Sequence, residues 1–416
     1  MNIVYTVLVC LFSLVLVWVL YNLPILAVGV KNLRQGRRKT GFDTRSENGL
    51  PKFSIVVPVK NEEKVIGRLL NALLRLNYPR DKMEIIIVED GSVDKTLEIC
   101  AEYVKEWNGN LKIMRKPTSN GKPSALNYGI KYASGQIIGI FDADNVPDSN
   151  VLMNVCKYFK DSNVAAVQGR TLSINAEENM LTKFISYEEA VWCETCLRGK
   201  DVLDLFVHLK GSCQFIRRDV LEKLGCFDDK ALSEDMEMSA RLTERGYRIR
   251  YAPDVCAWQE TPADLKQLFK QRIRWFRGTM EVALKYGKLV TKLNRKTVDA
   301  EATLFGPLIL IASLATYLAG LCTFFSVLQF DVLWGIIMKL ITVISTLTIF
   351  VCGLALVYVS KPRRLANLLW LPFIYFYWSL QAFIALYALI LMLLRRPRKW
   401  IKTRKTGKIN NKALCL

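Results

Sequence analysis

The chain has 416 residues, of which 51% are hydrophobic, and its formal net charge is +20 at pH 7. A chain of this length has room for about two or three domains with large cores, so it does not depend on disulfides or structural metals. The positive charge would suit a nucleic-acid-binding protein, but the basic residues cluster beside apolar runs. We therefore expect a membrane and no nucleic acid as partner. Eleven cysteines without disulfide or metal-ligand spacing indicate a reduced cytosolic compartment.

The first predicted element, within residues 1–30, is a helix that crosses the membrane. An uncharged run from residue 3 to about residue 28 is longer than the roughly 20 residues that a membrane-spanning helix needs. It has no small-residue cleavage site, so we expect an anchor and not a removed signal peptide. Residues 31–50 begin with five cations within nine residues, which indicates a basic cytoplasmic linker.

Residues 51–260 predict a soluble α/β domain. Short runs rich in β-branched residues alternate with helical patterns, and this alternation indicates βαβ units that build a mostly parallel sheet. We expect strands at residues 53–59, 84–88, 111–114, 136–141 and 164–168, and helices at residues 62–76 and 94–107. Ligands bind such sheets at the carboxyl ends of the strands, so the residues after each strand are the candidates for function.

Acidic residues follow three of the predicted strands. Glu62 comes after the first strand, Asp90 after the second, and Asp142 and Asp144 after the fourth. Carboxylates that converge at one sheet edge repel each other unless a cation neutralises them. Two aspartates two residues apart suit Mg²⁺ or Mn²⁺, which would take its other ligands from water and substrate phosphates. The alternative for this pair is an Asx-type turn.

The sequence SEDMEMSARL at residues 233–242 predicts a further helix. Ser233 is its expected N-cap, and Glu234 and Asp235 lie in its first turn. Capping alone would explain these acids, so a structural role stays open beside a catalytic one. His208 is the single histidine and is expected to be structural, which removes histidine as a candidate base or metal ligand.

Basic residues surround a tryptophan within residues 261–300, where we expect helices at the membrane interface. The stretch KQRIRWFRG at residues 270–278 contains Arg272, Arg274 and Trp275. Planar guanidinium groups suit phosphate oxygens and an indole face suits a sugar ring, so this stretch is a candidate site for diphosphate and acceptor. The alternative is an amphipathic helix with arginines at lipid phosphates and the indole among headgroups. Both interpretations can hold at once.

Residues 301–394 contain three further hydrophobic blocks, which predict a C-terminal transmembrane region. They span residues 304–330, 332–359 and 365–394, and a basic tail follows at residues 395–416. If the α/β domain is cytoplasmic, three simple crossings would leave this tail outside, although basic segments usually stay inside. A break at Pro372, with part of the last block at the interface, would resolve the conflict. We therefore expect the tail inside.

Eight motifs in chain order resemble those of the family 2 inverting glycosyltransferases. They are P-V-x-N-E (58–62), E-D-G-S (89–92), G-K-x-x-A-L-N (121–127), D-A-D (142–144), G-S (211–212), S-E-D (233–235), E-T-P (260–262) and Q-R-x-R-W (271–275). The resemblance covers about residues 51–280 and is closest to the membrane-embedded processive branch of cellulose, chitin, hyaluronan and poly-N-acetylglucosamine synthases. Lys60 and Glu89 depart from the usual pattern, which affects details of nucleotide recognition.

The resemblance implies a GT-A-like, nucleotide-sugar-binding α/β domain inserted between transmembrane helices. It also implies that Asp142 and Asp144 hold the metal and that Asp235 is the catalytic base. The expected nucleotide-sugar contacts are Pro58, Glu62, Asp90, Lys122, Asp142, Arg272 and Arg274. The expected acceptor contacts are Ser212, Glu234, Gln271 and Trp275. For Lys122, a solvated turn lysine is the alternative to a phosphate contact.

The implied reaction transfers a sugar from a nucleotide-diphosphate sugar, with UDP-sugar expected, to a growing polysaccharide with inversion to a β-linkage. The implied enzyme uses a divalent cation and is a multi-pass protein of the cell membrane with a cytoplasmic catalytic domain. Export of the product and the oligomeric state stay open. A single-sugar glycolipid synthase, similar to ceramide glucosyltransferases, is the alternative because it shares the motifs. A transporter or scaffold with an inactive domain is disfavoured because every expected carboxylate is present.

Overall fold

The computed structural model describes residues 3–35, 49–107, 109–287, 294–325, 332–359, 369, 371–398 and 402–408. Several predicted segments lie partly outside these ranges. They are residues 1–2 of the first helix, 36–48 of the linker, 288–293 of the interfacial segment, 326–330, 365–368 and 370 of the hydrophobic blocks, and 399–401 and 409–416 of the tail. The predicted α/β domain is described throughout except at residue 108.

An eight-stranded sheet forms the centre of the α/β domain. Its strands are β1 (Phe53–Val59), β2 (Met83–Glu89), β3 (Leu111–Arg115), β4 (Ile137–Ile140), β5 (Val146–Pro147), β6 (Val164–Ser173), β7 (Gln214–Arg217) and β8 (Arg248–Gln259). Their order in the sheet is β3-β2-β1-β4-β7-β6-β8-β5. The expected mostly parallel arrangement is confirmed, and among the described strands β7 and β5 run antiparallel to their neighbours.

The five predicted strands are all present, and β1 has the predicted bounds. Strand β6 runs to Ser173 and not to residue 168, because it continues along β8 beyond a bulge at Gly169. A Cβ at Gly169 would lie 2.5 Å from Cys213 Sγ and 2.7 Å from Val255 O. Gly169 follows the apolar run at residues 164–168 and lies inside the strand. A larger residue at this position would collide with its neighbours.

Fourteen α-helices lie in the described residues. They are α1 (Ile3–Gln35), α2 (Ile66–Leu74), α3 (Thr96–Glu106), α4 (Lys122–Ile130), α5 (Val151–Cys156), α6 (Met180–Val191), α7 (Arg198–Val202), α8 (Arg218–Lys223), α9 (Glu234–Glu244), α10 (Leu265–Tyr286), α11 (Arg295–Leu304), α12 (Gly306–Phe324), α13 (Val332–Val359) and α14 (Leu371–Leu393). The predicted helices at 62–76 and 94–107 correspond to α2 and α3. Helix α3 begins two residues late because the Asp94 carboxylate accepts hydrogen bonds from Thr96 N (3.0 Å) and Thr96 Oγ1.

The sheet packs a hydrophobic core against each of its faces. Along β1, Ile55 and Val57 face one core and Val56 faces the other, as strand alternation requires. Helices α2, α3 and α5 cover the first core, and α4, α8 and α9 cover the second. Burial on both faces explains why the central strands consist of unbroken apolar runs. It also leaves the strand ends as the place where polar groups can gather.

Two described helical stretches are long and apolar enough to cross a membrane, Thr6–Leu33 and Tyr375–Leu393. A third results if α11 and α12 count as one span, because Arg295–Leu304 and Gly306–Cys322 meet at a bend of 54°. Helix α14 begins at Leu371, so Pro372 lies in its first turn, where a missing amide proton costs nothing. The described part of this helix thus starts beside the proline at which the sequence predicts a break.

Helix α1 packs directly onto the α/β domain. A Cβ at Gly29 would lie 2.0 Å from Thr195 O, and a Cβ at Gly199 would lie 2.1 Å from Ile25 O, so the backbones touch at both glycines. Thr195 belongs to a π-helical turn, Trp192–Leu197, that joins α6 to α7. Helix α1 also contacts α12, which contacts α14. The N-terminal and C-terminal apolar helices therefore meet on one side of the domain.

The tail returns to the α/β domain after α14. Lys402 Nζ donates a hydrogen bond to Lys60 O (2.8 Å), and Lys405 Nζ donates one to Glu260 O (2.8 Å). Residues 402–408 and the domain must therefore lie on the same side of any membrane that the helices between them cross. The number of crossings and the side of the membrane on which the tail lies stay predictions.

Candidate active site

The carboxyl ends of β1, β2 and β4 open into one large cavity of about 1380 Å³. Ligand pockets usually measure roughly 300–1,000 Å³, so this cavity has room for more than one substrate. The predicted site residues that line it are Pro58, Glu62, Asp90, Lys122, Asp142, Asp144, Glu234, Asp235, Gln271, Arg272, Arg274 and Trp275. Of the predicted set, Ser212 alone is absent from the lining.

Asp90 is buried at the end of β2. Its Oδ2 accepts hydrogen bonds from Ser119 Oγ (2.9 Å) and Gly121 N (3.3 Å), so the loop before α4 fixes the carboxylate. Oδ1 has no hydrogen-bond partner among the described residues, and the Lys116 ammonium lies 3.6 Å from it. A buried carboxylate oxygen without a donor is costly unless a ligand supplies one. The arrangement suits the predicted contact with the nucleoside.

Pro58 and Glu62 lie at the end of β1 and in the turn that follows it. Glu62 Oε1 is 2.8 Å from Lys402 Nζ of the tail. Burial raises the pKa of Glu62 to about 7, although the Lys402 ammonium opposes this shift. Glu62 is therefore covered by the tail at the place where it lines the cavity.

Asp142 follows β4 and forms an ion pair with Lys122 of α4. The distance from Lys122 Nζ to Asp142 Oδ1 is 2.7 Å, and Nζ also lies 3.3 Å from Glu234 Oε1. Burial opposes the charged form of Lys122, but these two carboxylates raise its pKa above the usual value. Its side chain is only 13% exposed, so the alternative of a solvated turn lysine is wrong. Lys122 is thus a buried cation among the acidic residues at the carboxyl ends of the strands. We call this group the acidic edge; its members are Glu62, Asp90, Asp142, Asp144, Glu234, Asp235 and Glu260.

Ser212 lies behind the cavity wall and is 1% exposed. Its Oγ accepts a hydrogen bond from Asp142 N (3.1 Å) and donates one to Asn145 Oδ1. Both bonds hold the turn that contains Asp142 and Asp144. In this structure Ser212 positions that turn, and the predicted contact with the acceptor would require the turn to move.

Asp144 is buried against the tail. Its Oδ2 accepts a hydrogen bond from Glu260 N (2.8 Å) and lies 2.7 Å from Lys405 Nζ. Burial disfavours the carboxylate, but the Lys405 ammonium keeps the pKa of Asp144 below its usual value. No group of three His, Cys, Asp or Glu side chains in the described ranges is arranged to hold a metal. Asp142 and Asp144 both line the cavity, and each already has a lysine ammonium 2.7 Å from one carboxylate oxygen. Two carboxylates that hold positive charge in this way fit the oxygen ligands that Mg²⁺ or Mn²⁺ requires.

Asp235 lies in the first turn of α9. Its Oδ1 accepts hydrogen bonds from Ser233 Oγ (2.8 Å) and Met236 N (2.8 Å). Ser233 is the N-cap residue, as predicted, but its hydroxyl donates to Asp235 and makes no capping hydrogen bond. Burial and the neighbouring Glu234 raise the pKa of Asp235 to about 6. A buried carboxyl whose pKa lies near neutral pH suits a general base.

Gly211 leaves room beside the second oxygen of Asp235. A Cβ at Gly211 would lie 3.1 Å from Asp235 Oδ2, and its φ of +79° favours glycine. The carbonyl oxygen of Gly211 accepts a hydrogen bond from Lys122 Nζ (2.8 Å). The G-S motif therefore brings the backbone close to Asp235 and to Lys122.

Helix α10 brings Arg272 and Trp275 to the cavity wall. The Arg272 guanidinium lies 4.6 Å from the Trp275 ring centroid and 2.6 Å from Glu188 Oε2 of α6. It also donates a hydrogen bond to Tyr377 of α14 (3.3 Å). A phosphate that binds Arg272 would have to compete with Glu188. The stretch around Trp275 thus joins the domain to the last apolar helix, and its indole lines the cavity beside this ion pair.

Sequence reasoning missed two parts of the site. The first is the tail, where Glu260 Oε1 accepts hydrogen bonds from Thr406 N and Thr406 Oγ1 (2.9 Å) and where Gly407 has a φ of +77°. The pattern K-T-x-K-T-G at residues 402–407 was the available signal, because two threonines and a glycine do not belong to a plain basic tail. The second is Glu189, which lines the cavity from α6. Its signal was an acidic pair within an otherwise apolar helical pattern.

His208 is buried beside two aromatic rings. The centroid of its imidazole lies 6.1 Å from the ring of Phe206 and 5.9 Å from that of Trp192. Burial and the nearby lysines Lys200 and Lys210 lower its pKa to about 3, so it is neutral at physiological pH. A neutral, packed imidazole agrees with the expected structural role, although the ring also lines the cavity.

Curated proteins similar to this chain are glycosyltransferases. Probable glycosyltransferase YdaM of Bacillus subtilis is 36% identical over 69% of each chain. Beta-monoglucosyldiacylglycerol synthase of a Nostoc species is 33% identical over 63% of this chain and 57% of its own. Poly-beta-1,6-N-acetyl-D-glucosamine synthase of Staphylococcus epidermidis is 31% identical over 56% of each chain. The match thus spans less than two thirds of the length of the last two proteins.

Among solved structures, the mannosyltransferase PcManGT from Pyrobaculum calidifontis, in complex with GDP-Man and Mn²⁺, shares the fold. The TM-score is 0.57 over 93% of this chain and 100% of that protein, at 20% sequence identity. The family model named Glycosyltransferase like family 2 matches residues 51–278, which is more than half of the chain. These residues carry every strand of the sheet and the acidic edge described above. The chain therefore belongs to glycosyltransferase family 2.

Proposed function

We propose that the protein is a membrane-bound, inverting, metal-dependent glycosyltransferase that transfers a sugar from a UDP-sugar to a growing polysaccharide with a β-linkage. One observation carries the proposal. Asp90, Asp142, Asp144 and Asp235 line a single cavity, and residues of α1, α12 and α14 line the same cavity. The cavity thus continues from these aspartates to the space between the apolar helices. An acceptor could reach Asp235 through this space from the membrane side.

Different residues of the chain act on the donor and on the acceptor. Asp90 holds the nucleoside, and the buried Lys122 ammonium stabilises the charge that develops on the departing diphosphate. Asp235 accepts the proton of the acceptor hydroxyl while that oxygen bonds to the anomeric carbon and the bond from this carbon to the diphosphate oxygen breaks. Attack and departure take place on opposite faces of the carbon. An α-linked donor therefore gives a β-linked product.

Asp142 and Asp144 are the residues that would hold Mg²⁺ or Mn²⁺, which when bound supplies positive charge to the diphosphate. In the structure each of the two carboxylates has a lysine ammonium at 2.7 Å, Lys122 for Asp142 and Lys405 for Asp144. The two lysines offset the negative charge of these two aspartates. Lys405 belongs to the tail, so it can leave Asp144 without disturbing the sheet.

A single-sugar glycolipid synthase is the second candidate. Leu314, Tyr317 and Trp378 are among the apolar and aromatic side chains that line the cavity between the apolar helices, and such a lining suits acyl chains. The similar protein from Nostoc is named for synthesis of a glucosyldiacylglycerol. The two candidates share the donor chemistry and differ in the acceptor.

We further propose that the protein is a multi-pass protein of the cell membrane with its catalytic domain in the cytoplasm. Five cations within residues 31–39 overlap the end of α1 and follow it, and the basic residues 402–408 lie on the domain. Both basic segments would then be on the side where positive charge is retained. The close contact of α1 with the turn at Thr195 supports a domain that rests against the membrane.

The product test uses the full chain in lipid nanodiscs with Mn²⁺ and a panel of radiolabelled UDP-sugars. We expect one donor to yield label that remains in the aqueous phase, elutes as a polymer and is released by a β-glycosidase. Label that partitions into organic solvent as a lipid with one sugar would favour the second candidate. No release of UDP from any donor would contradict the proposed enzyme itself.

The pKa of Asp235 predicts a pH dependence. Below a pKa of about 6 the carboxyl is protonated and cannot accept the proton of the acceptor, so kcat/KM should fall about tenfold per pH unit on the acid side. The charge of Glu234 raises this pKa, so Glu234→Gln should move the acid limb to lower pH. Glu222→Gln, which alters an exposed carboxylate on α8, is the control. An acid limb that stays in place in Glu234→Gln would remove Asp235 from the base role.

The ion pair between Lys405 and Asp144 predicts tighter metal binding when the lysine is removed. Lys405→Met should increase the affinity for Mn²⁺ about 3- to 10-fold in the absence of donor, because the cation no longer competes with an ammonium for Asp144. Paramagnetic resonance of free Mn²⁺ measures this affinity. Lys408→Met is the matched control, since Lys408 is exposed and pairs loosely with Glu178 at 3.5 Å. Unchanged or weaker binding in Lys405→Met would contradict the competition.

A further inference from the structure

A second, smaller cavity lies where the last apolar helix ends. It measures about 480 Å³, and none of the aspartates of the catalytic cavity lines it. Its lining comes from α10 and from the end of α14, and four of its members are arginines: Arg277, Glu281, Leu284, Met392, Arg395, Arg396, Pro397 and Arg398. We call this cavity the arginine pocket.

The backbone turns back sharply at the end of α14. The amide of Arg396 donates to Leu391 O and the amide of Arg395 donates to Met392 O, both at 3.0 Å. Arg395 has a φ of +50°, a conformation that glycine normally supplies at the end of a helix. A side chain strains this conformation, so the turn itself does not explain why an arginine stands here.

Arg277 of α10 fixes the segment that follows this turn. Its guanidinium donates to Arg396 O (2.8 Å) and Pro397 O (3.4 Å), and its Nε lies 3.0 Å from Glu281 Oε1. The Arg277 side chain is only 9% exposed. A basic segment that only marks the cytoplasmic end of a helix would not need a buried arginine to hold its backbone. The guanidinium groups around the pocket are therefore held in a defined place.

The charges of the arginine pocket do not balance. Glu281 is the only carboxylate among its described lining residues, and it pairs with Arg277 and with Arg398, whose Nε lies 3.3 Å from Oε2. The ion pairs at this corner of the described structure do not include Arg395 and Arg396, and both residues are exposed. Gathered cations repel each other, and guanidinium groups suit phosphate oxygens. The pocket therefore favours an anion as its ligand.

Exposed apolar side chains adjoin these cations. Leu284 lines the pocket and is 69% exposed, and Leu393 and Leu394, which precede the arginines, are 70% and 62% exposed. The apolar stretch Tyr375–Leu393 is long enough to cross a membrane, so the arginines that follow it lie at the level of lipid phosphates. A soluble anion would leave the leucines in water, whereas a phospholipid covers leucines and arginines together.

We propose that the arginine pocket binds one anionic phospholipid, with its phosphate at Arg395 and Arg396 and its acyl chains along Leu284 and Leu393. This site is separate from the transfer reaction and does not depend on the identity of donor or acceptor. Arg398 lines both the arginine pocket and the catalytic cavity. A lipid bound here therefore lies next to the active site and secures the junction of α10 with α14.

The test measures lipid binding to the full chain in detergent by native mass spectrometry. The chain is titrated with phosphatidylglycerol or with phosphatidylcholine of the same acyl chains. We expect one phosphatidylglycerol to bind at least about 10-fold more tightly than phosphatidylcholine. The double variant Arg395→Gln with Arg396→Gln should lower the affinity for phosphatidylglycerol about 10- to 30-fold, because it removes the two guanidinium groups assigned to the phosphate.

Lys31→Gln with Arg295→Gln is the matched control. It removes two exposed cations near the ends of α1 and α11, outside the pocket, and should bind phosphatidylglycerol as the wild type does. Arg277→Lys tests the framework of the pocket. Lysine keeps the charge but lacks the planar fork that holds two carbonyls, so the affinity should fall about 3- to 10-fold. Thermal unfolding shows whether each variant is folded.

Three results would overturn the inference. One is equal affinity for the two lipids, and another is an equal loss of affinity in the double variant and in the matched control, which would indicate general attraction to a positive chain. The third is displacement of phosphatidylglycerol by equimolar inorganic phosphate, which would assign the pocket to a soluble anion. None of these measurements involves sugar transfer, so failure of this inference and failure of the proposed function are distinguishable.

Discussion

The repulsion among carboxylates at the carboxyl edge of the sheet is the constraint on which the rest of the structure depends. The acids gathered there are Glu62, Asp90, Asp142, Asp144, Glu234, Asp235 and Glu260, and all of them line one cavity. Several are buried, where an unpaired charge costs several kcal/mol or more. Three lysines from two separate parts of the chain offset this cost, Lys122 from α4 and Lys402 and Lys405 from the tail.

This constraint couples distant segments of the chain. The tail is held on the domain because its lysines neutralise Glu62 and Asp144, and its backbone amides bind Glu260. On the opposite side of the cavity, Arg272 joins α10 to α6 through Glu188 and to α14 through Tyr377. The catalytic domain and the apolar helices are therefore connected through the site itself. A substrate that changes the charge at the acidic edge acts on these connections directly.

The sequence predicts those features that depend on local pattern. Alternating apolar runs were sufficient for all five expected strands, and the order of acidic motifs was sufficient to place Asp90, Asp142, Asp144 and Asp235 in one cavity. Strand β6 was predicted too short because a glycine usually interrupts a strand, whereas Gly169 is needed for contact with Cys213. The prediction failed where a neighbour distant in sequence decided the outcome.

Pairing between residues that are distant in sequence explains the remaining differences between the predicted and the observed contacts of the site. Arg272 and Lys405 are cations whose partners, Glu188 and Asp144, are far away along the chain, and no spacing rule connects them. Ser212 was expected at the acceptor because it belongs to a motif, but its hydroxyl is used by Asp142 N and Asn145. Composition and motif order identify which side chains gather at a site. They do not determine which of these side chains pair with each other and which still face a ligand.

The base role of Asp235 is the central claim, and Asp235→Asn tests it most directly. Asparagine keeps the size of the side chain but cannot accept the proton, so kcat should fall by a factor of about 10² to 10⁴ while the dissociation constant of the UDP-sugar stays within about threefold of the wild type. Isothermal titration of the donor and transfer rates on the same nanodisc samples give both quantities. Asp219→Asn, at an exposed position on α8, is the matched control. Transfer by Asp235→Asn within a few-fold of the wild-type rate would contradict the account.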